Sequence, residues 1–356
     1  METRFVALDK LAPSDESAWR RLVERSIDAN PFFEPDFVLP AARHLGLRSS
    51  GLRVIEEGGE WLACLPVSDR VTKLQVPVLA GFRTPYSYLG TPLVAKGSEA
   101  LTPDLLMGGL RGSLTGVAML DQVPLESAAW GSFEDAIVRG DVVAVARREF
   151  DRAAFARHEP GSPLPLPSKR RADLRRTRRR LEERLGAEVE FVRLEPDDQA
   201  IGRFLELEGS GWKGDAGTAV SAESAHAEFF VDLCRRFAAS GRLELTAMLC
   251  AGQTLAMATM LNARDCRYAL KLAFNEEFRK QAPGAQLIVE VAENPPASMA
   301  GSYLDSCADA SNETLNRLWP DRRSLVSVML ARPGVRAGVI KRALRVADAA
   351  SGTTGT

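Results

Sequence analysis

The chain has 356 residues, 45% hydrophobic and 26% charged, with a formal net charge of -1. That length suits two domains and that composition a globular protein with a real core. The near-zero charge gives no reason to expect nucleic acid or an anionic membrane as a partner. Five cysteines without Cys-x-x-Cys spacing, and three histidines far apart, argue against a disulfide framework and against a zinc site. Met1 to Phe5 lacks a basic region followed by an apolar stretch, and no apolar run reaches the span of a bilayer, so the expectation is a cytoplasmic protein. Nothing sets the oligomeric state.

In chain order, Glu16 to Ile27 reads as a helix with Trp19, Leu22, Val23 and Ile27 on one face, broken at Asn30-Pro31. A second helix holds Phe37, Val38, Ala41, Ala42 and Leu45 and ends at Gly46. Strands are expected over Leu52–Glu56, Glu60–Pro66 and Leu74–Leu79, the first two joined at Gly58-Gly59. An aromatic, turn-rich stretch, Pro85 to Leu93, precedes a helix over Pro103–Leu110. Strands over Val117–Gln122 and Val142–Arg148 follow.

His158 to Pro167 carries four prolines and can continue neither a helix nor a central strand. It reads as a linker, residues 158–168, between a first domain over 1–157 and a second over 169–332. Lys169 to Leu185 is a densely basic helix, with nine basic residues against Asp173, Glu182 and Glu183. Leu174, Leu181 and Leu185 form its narrow apolar stripe. The near-zero net charge and the absence of interleaved aromatics argue against nucleic acid here; it reads as a solvated face with partial ion pairing, or as a surface for an anionic acceptor or the nucleotide 3′-phosphate. Then come a strand over Val189–Leu194, helices over Pro196–Gly209 and Ala225–Ser240, and a meander over Leu243–Cys250, Leu255–Asn262 and Cys266–Ala273. A helix opening at Pro283 and a strand over Ser302–Asp305 complete the order. Residues 333–356 read as a basic helix and a flexible tail. The first half has a looser version of the same element order, without a residue-level repeat.

The segment Phe274 to Leu287 follows a strand and opens a helix at Pro283, the position where proline suits a first turn. Gly284 permits close approach to the backbone, and Arg279 and Lys280 add positive charge. Such a helix start, with its uncommitted amides and dipole, is suited to an anion such as a pyrophosphate, or is an ordinary proline-started helix.

The meander, the charged turn, the Pro-Gly helix start and the strand after it resemble the acyltransferase domain of the GNAT superfamily. More narrowly, they resemble the branch that holds cellulose-biosynthesis acetyltransferases. The stretches Asn30-Pro-Phe-Phe-Glu-Pro35, Tyr88-Leu-Gly-Thr-Pro-Leu93, Gly211-Trp-Lys-Gly214, Leu304-Asp-Ser-Cys-Ala308 and Leu318-Trp-Pro320 fit that branch. The resemblance implies an α/β (α+β) fold of two GNAT-like domains, each a mixed, mostly antiparallel sheet flanked by helices, the N-terminal one degenerate. It implies direct transfer from acetyl-CoA or another acyl-CoA, without a metal, to an amine or hydroxyl of a small-molecule or saccharide acceptor. Paired GNAT halves also resemble the Fem-type aminoacyl-tRNA-dependent peptidyltransferases. A non-catalytic binding module is the third reading.

The resemblance places the donor against Leu272, Ala273, Arg279, Lys280, Gln281, Pro283, Gly284, Ala285 and Gln286. Gln281-Ala-Pro-Gly284-Ala-Gln286 keeps the glutamine and the first glycine of the family's loop, Arg/Gln-x-x-Gly-x-Gly/Ala, but ends in Gln286 where a small residue is general, a change that the resembled branch commonly tolerates. Asp305 is the candidate base or acceptor orienter, or else a cap of the next turn. Cys307 is a candidate acid for the departing thiolate, or a small buried cysteine. Lys271 sits in an apolar strand and by alternation shares a face with Ala269 and Ala273. It points into the cleft or to solvent. Trp212 and Lys213, between glycines, form a candidate acceptor-binding loop.

Overall fold

A computed structural model describes residues 1–46, 50–71, 77–109, 116–156, 163–210, 220 and 223–334. The chain divides into two compact units, Met1–Phe150 with Ser324–Thr356, and Asp151–Arg323.

The first unit begins with β1 (Glu2–Ala7), α1 (Pro13–Arg25) and α2 (Pro35–His44). It continues through β2 (Ser50–Glu57), β3 (Glu60–Val71), β4 (Pro77–Gly81), the short β5 (Leu93–Val94), α3 (Thr102–Gly109), β6 (Val117–Pro124), α4 (Ala128–Arg139) and β7 (Val143–Phe155). β1, β2, β3 and β4 are antiparallel neighbours, and β4 pairs with β6 in parallel. The β2–β3 turn uses Gly58 and Gly59 at φ +59° and +83°, the left-handed pair a two-residue hairpin requires. Trp19 and Leu22 of α1, Phe37 and Val38 of α2, Val54 and Trp61 of the sheet, and Trp130 and Phe133 of α4 are fully buried. Ser127 caps α4 by accepting from the Trp130 amide at 3.2 Å.

The second unit carries α5 (Ser168–Leu185), β8 (Val189–Leu194), α6 (Asp198–Gly209), α7 (Ser224–Ala239), β9 (Leu243–Cys250), β10 (Gln253–Ala263) and β11 (Cys266–Phe274). α8 (Pro283–Glu293), β12 (Tyr303–Asp305) and α9 (Glu313–Leu318) complete it, and β13 (Asp321–Ala331) starts there and passes to the first unit at Ser324. β8 through β11 form an antiparallel meander, β11 pairs in parallel with β12, and β12 pairs with the end of β7. Met248, Met260, Leu287, Val291, Leu304 and Trp319 form its core, closed at one side by Leu174, Leu181 and Leu185 of α5. Burying each such side chain stabilises the unit by roughly 1.5–3 kcal/mol.

Taken separately, and apart from the short β5 and from α5, the two units share one element order: strand, two helices, three strands, helix, a strand parallel to the third of those three, helix. The likeness in element order read from the sequence therefore extends to the parallel strand pair in each unit. The boundaries differ from those read in the sequence. β7 crosses from the first unit to the second near Phe150, ahead of the prolines, because its end pairs with β12. β13, absent from the sequence reading, crosses back at Ser324 and pairs with β6. β1 and α4 are also additions. Residues 335–356, where the basic helix and tail are expected, lie outside the described residues.

Candidate functional site

β11 and β12 are paired only at Cys266–Tyr303, Arg267–Leu304 and Tyr268–Asp305; β12 then ends while β11 runs on to Phe274. The two parallel strands thus part beyond Tyr268, and the rest of β11 presents an edge to the opening. On its other side β11 pairs with β10, with a break in register. Thr259 lies opposite Lys271 and Met260 opposite Ala269, so Leu270 is an extra residue. This β-bulge overturns the strict alternation expected from the sequence. Ala269, Leu272 and Phe274 join the core under α8. Lys271 turns toward α6, where its Nζ lies 4.0 Å from Glu208 Oε1.

Glu208 is the residue that sequence reasoning missed. Its side chain is 1% exposed, and its Oε2 accepts from the Val220 amide at 2.9 Å. The signal was present: Ala200, Ile201 and Phe204 are the buried stripe of α6, and Glu208 occupies the next position of that stripe. A buried carboxylate among apolar residues is costly unless paired, and Lys271 supplies the opposite charge.

The loop before α8 is built on itself. Asn275 accepts from the Glu277 amide at 3.0 Å, Phe278 is buried as its anchor, and Arg279 and Lys280 are exposed. Ala282 takes φ +51° and leads into Pro283, and α8 has no side-chain cap. Gly284 is buried, and a Cβ there would lie 3.3 Å from Leu272 Cδ2 and Phe274 Cδ1. The glycine therefore lets α8 lie close on β11, a packing reason beside the ligand-approach reason read from sequence. Leu272 packs on that side, while Ala273, 3% exposed, faces the other way. Gln286 is 1% exposed. Its Nε2 donates to the Gln281 carbonyl at 2.9 Å, and its Oε1 accepts from Arg178 Nε at 3.1 Å. The side chain closes the loop from inside and ties it to the basic helix. Pro283 is buried, and Ala285 is half-buried.

Asp305 is fully buried and saturated. Its Oδ2 accepts from Arg152 Nη2 at 2.6 Å and from Arg323 Nη1 at 2.7 Å, and its Oδ1 accepts from the Cys307 amide at 2.9 Å. Burial alone would raise its pKa; the two guanidiniums and the Cys307 amide outweigh that and hold it below the usual carboxylate value. The residue caps the turn and neutralises buried arginine, the alternative to the base role. Cys307 is buried at φ +52°, and burial pushes its thiol well up, so it stays protonated. Trp212 and Lys213 lie outside the described residues. Lys271 and Glu208 meet on one side of β11, and the loop residues Arg279 to Gln286 gather at its end. Asp305 and Cys307 sit at the base of the opening.

In the first unit the matching parallel pair, β4 and β6, is followed by a segment that covers it. Gly90 lies so close to β6 that a Cβ would stand 2.2 Å from the Asp121 carbonyl oxygen. Arg83 pairs with Asp121 at 2.9 Å, and Asn30 donates to the Thr91 carbonyl at 2.8 Å. The two motifs Asn30–Pro35 and Tyr88–Leu93 thus interlock, with Phe32 edge-on to Tyr88.

No group of histidine, cysteine, aspartate and glutamate suited to a metal occurs among the described residues, and no helix among them is long and apolar enough to cross a membrane. Residues 168–299 match the family described as the acetyltransferase (GNAT) domain. No curated protein matches the chain. Among solved structures it is similar to FemX, at 11% identity and a TM-score of 0.59, over 92% of this chain and 97% of that one. It is similar also to a conserved protein of unknown function from Bacteroides thetaiotaomicron, at 14% identity and a TM-score of 0.58, over 89% and 97%. The chain has the α+β fold of the GNAT-superfamily transferases.

Proposed function

We propose that the protein is a Fem-type transferase that moves an aminoacyl group from an aminoacyl-tRNA to an amine acceptor. The observation that carries this reading is Gln286. At the position where a coenzyme A loop generally has a small residue, its buried side chain occupies the loop from within and engages both the Gln281 carbonyl and Arg178. The likeness to FemX over nearly the whole of both chains supports the same reading at the level of fold.

The aminoacyl ester enters the opening between β11 and β12, where a β11 amide donates to its carbonyl oxygen as charge develops there. The acceptor nitrogen attacks the carbonyl carbon and gives its proton to Glu208, the carboxylate beside Lys271 of β11. Lys271, whose Nζ lies 4.0 Å from Glu208 Oε1, stabilises the tetrahedral oxyanion. The bond to the tRNA ribose oxygen breaks, and that oxygen leaves as a hydroxyl with the proton that Glu208 took, which returns the carboxylate to its starting state. Asp305 positions the floor of the opening through Arg152, Arg323 and the Cys307 turn. The first unit, whose own opening is covered by Gly90, does not take a donor.

A second reading, acyl transfer from acetyl-CoA to an amine or a saccharide hydroxyl as in the cellulose-biosynthesis branch, is favoured by the family match over residues 168–299 and by the uncapped start of α8. Calorimetry with acetyl-CoA and coenzyme A, beside binding of a charged tRNA pool, separates the two. The proposal expects tRNA binding and no saturable coenzyme A binding at high micromolar concentration. Micromolar acetyl-CoA affinity would replace the first reading with the second.

A further inference from the structure

We infer that the outward face of α5, with Arg279 and Lys280 beside it, is the docking surface for the RNA of the donor; this rests on the aminoacyl-tRNA reading above. The whole-chain charge of -1 conceals this region, since the nine basic residues of α5 face only three acidic ones in the same helix. Eight of the nine are arginine, the side chain whose planar fork suits phosphate oxygens.

The structure sorts these residues by face. Leu174, Leu181 and Leu185 anchor α5 in the core of the unit. Arg178 and Arg184 turn toward the donor loop: Arg178 donates to Gln286, and Arg184 pairs with Glu277 and lies 4.7 Å over the Phe278 ring. Arg175, Arg176, Arg179 and Arg180 are exposed, as are Arg279 and Lys280 of the loop. Arg176 has Asp173 at 2.8 Å and Arg179 has Glu183 at 3.7 Å, exposed pairs that exchange readily with a stronger anion. Arg175 and Arg180 carry no salt bridge among the described residues. The helix is thus held to the loop by its inner arginines and offers its outer ones to solvent.

The chemistry favours RNA over a lipid surface. An interfacial helix presents large apolar side chains beside its cations, whereas the leucines of α5 all face the core. Cations without an apolar neighbour match a phosphate backbone, whose binding is governed by charge and counterion release.

The test uses the full chain and labelled, uncharged tRNA, followed by fluorescence anisotropy between about 50 and 200 mM salt. The combined variant Arg175→Gln, Arg176→Gln, Arg179→Gln, Arg180→Gln should weaken binding at least about tenfold and flatten the log–log salt slope by about 3. Arginine-to-lysine changes at the same four positions should keep the slope, and Arg21→Gln with Arg139→Gln, exposed elsewhere, should change nothing. Equal affinity for the wild type and the combined glutamine variant would overturn the inference, as would equal losses in both glutamine sets. Binding to phosphatidylglycerol vesicles that depends on these arginines, without RNA binding, would overturn it in favour of a membrane surface. Because uncharged tRNA requires no chemistry, the result is separable from the functional reading. Transfer from charged tRNA unaffected by the combined variant would defeat the docking surface alone. Arginine-dependent RNA binding without any transfer would defeat the transferase reading alone.

Discussion

Replacing Asp305 by asparagine should unfold the second unit at markedly lower temperature. The carboxylate is the shared partner of two buried guanidiniums, Arg152 at 1% side-chain exposure and Arg323 at 12%. Asparagine can still cap the Cys307 amide, so the loss isolates the charge. Leaving buried charge uncompensated costs about 3–5 kcal/mol. For a unit of this size about 2–4 °C is lost per kcal/mol, which gives a fall of roughly 6–20 °C. Scanning calorimetry at neutral pH reads it directly. The pH dependence has a definite sign. Because the folded-state pKa of Asp305 is lowered, its contribution is present above the ordinary carboxylate value and is lost as pH falls through the folded value. The wild type and Asp305→Asn should therefore converge in strongly acid solution. A fall of less than about 2 °C at neutral pH would refute the reasoning. Unchanged stability with abolished transfer would return Asp305 to the role of base.

Three further substitutions test the packing around the two parallel strand pairs. Gly90→Ala places a Cβ 2.2 Å from a backbone carbonyl oxygen and should cost the first unit roughly 3 kcal/mol or more in urea unfolding. Gly284→Ala meets only the ends of Leu272 and Phe274 at 3.3 Å, so its cost should be about 1–2 kcal/mol; the reverse order would show that these contacts are misjudged. Gln286→Ala removes the partner of the Gln281 carbonyl and of Arg178, and should cost about 1–3 kcal/mol; no loss of stability would mean that the side chain does not hold the loop.

Much of the second unit is legible in the residues themselves. β8 and β9 fall where alternation and turns place them, over Val189–Leu194 and Leu243–Cys250. α8 starts at Pro283 because proline fits the first turn, whatever binds there. α4 was legible too: Ser127 caps it, Trp130, Phe133 and Ala136 form its buried side, and Gly140 stops it. Other features depend on distant partners. The bulge at Leu270 belongs to the pairing of two strands, so period-2 reading carried Ala269 to the wrong face. Asp305 reads as a base or a turn cap; the cap on the Cys307 amide is local, but its guanidinium partner Arg152 lies 153 residues away and leaves no local sign. β13 returns to the first unit through pairing with β6, which no local pattern announces. Glu208 is the instructive case, since a charge within a buried helical stripe is visible in sequence, and only the fold brings Lys271 to it.

The most direct test of the central claim is transfer of radiolabelled amino acids from a charged tRNA pool to peptide amines, by the wild type and by Glu208→Gln. The wild type should form labelled amide product, and the glutamine variant should lose about 10²–10⁴-fold in rate while binding tRNA as before. Wild-type transfer from acetyl-CoA with none from charged tRNA, or a Glu208→Gln variant as fast as the wild type, would contradict it.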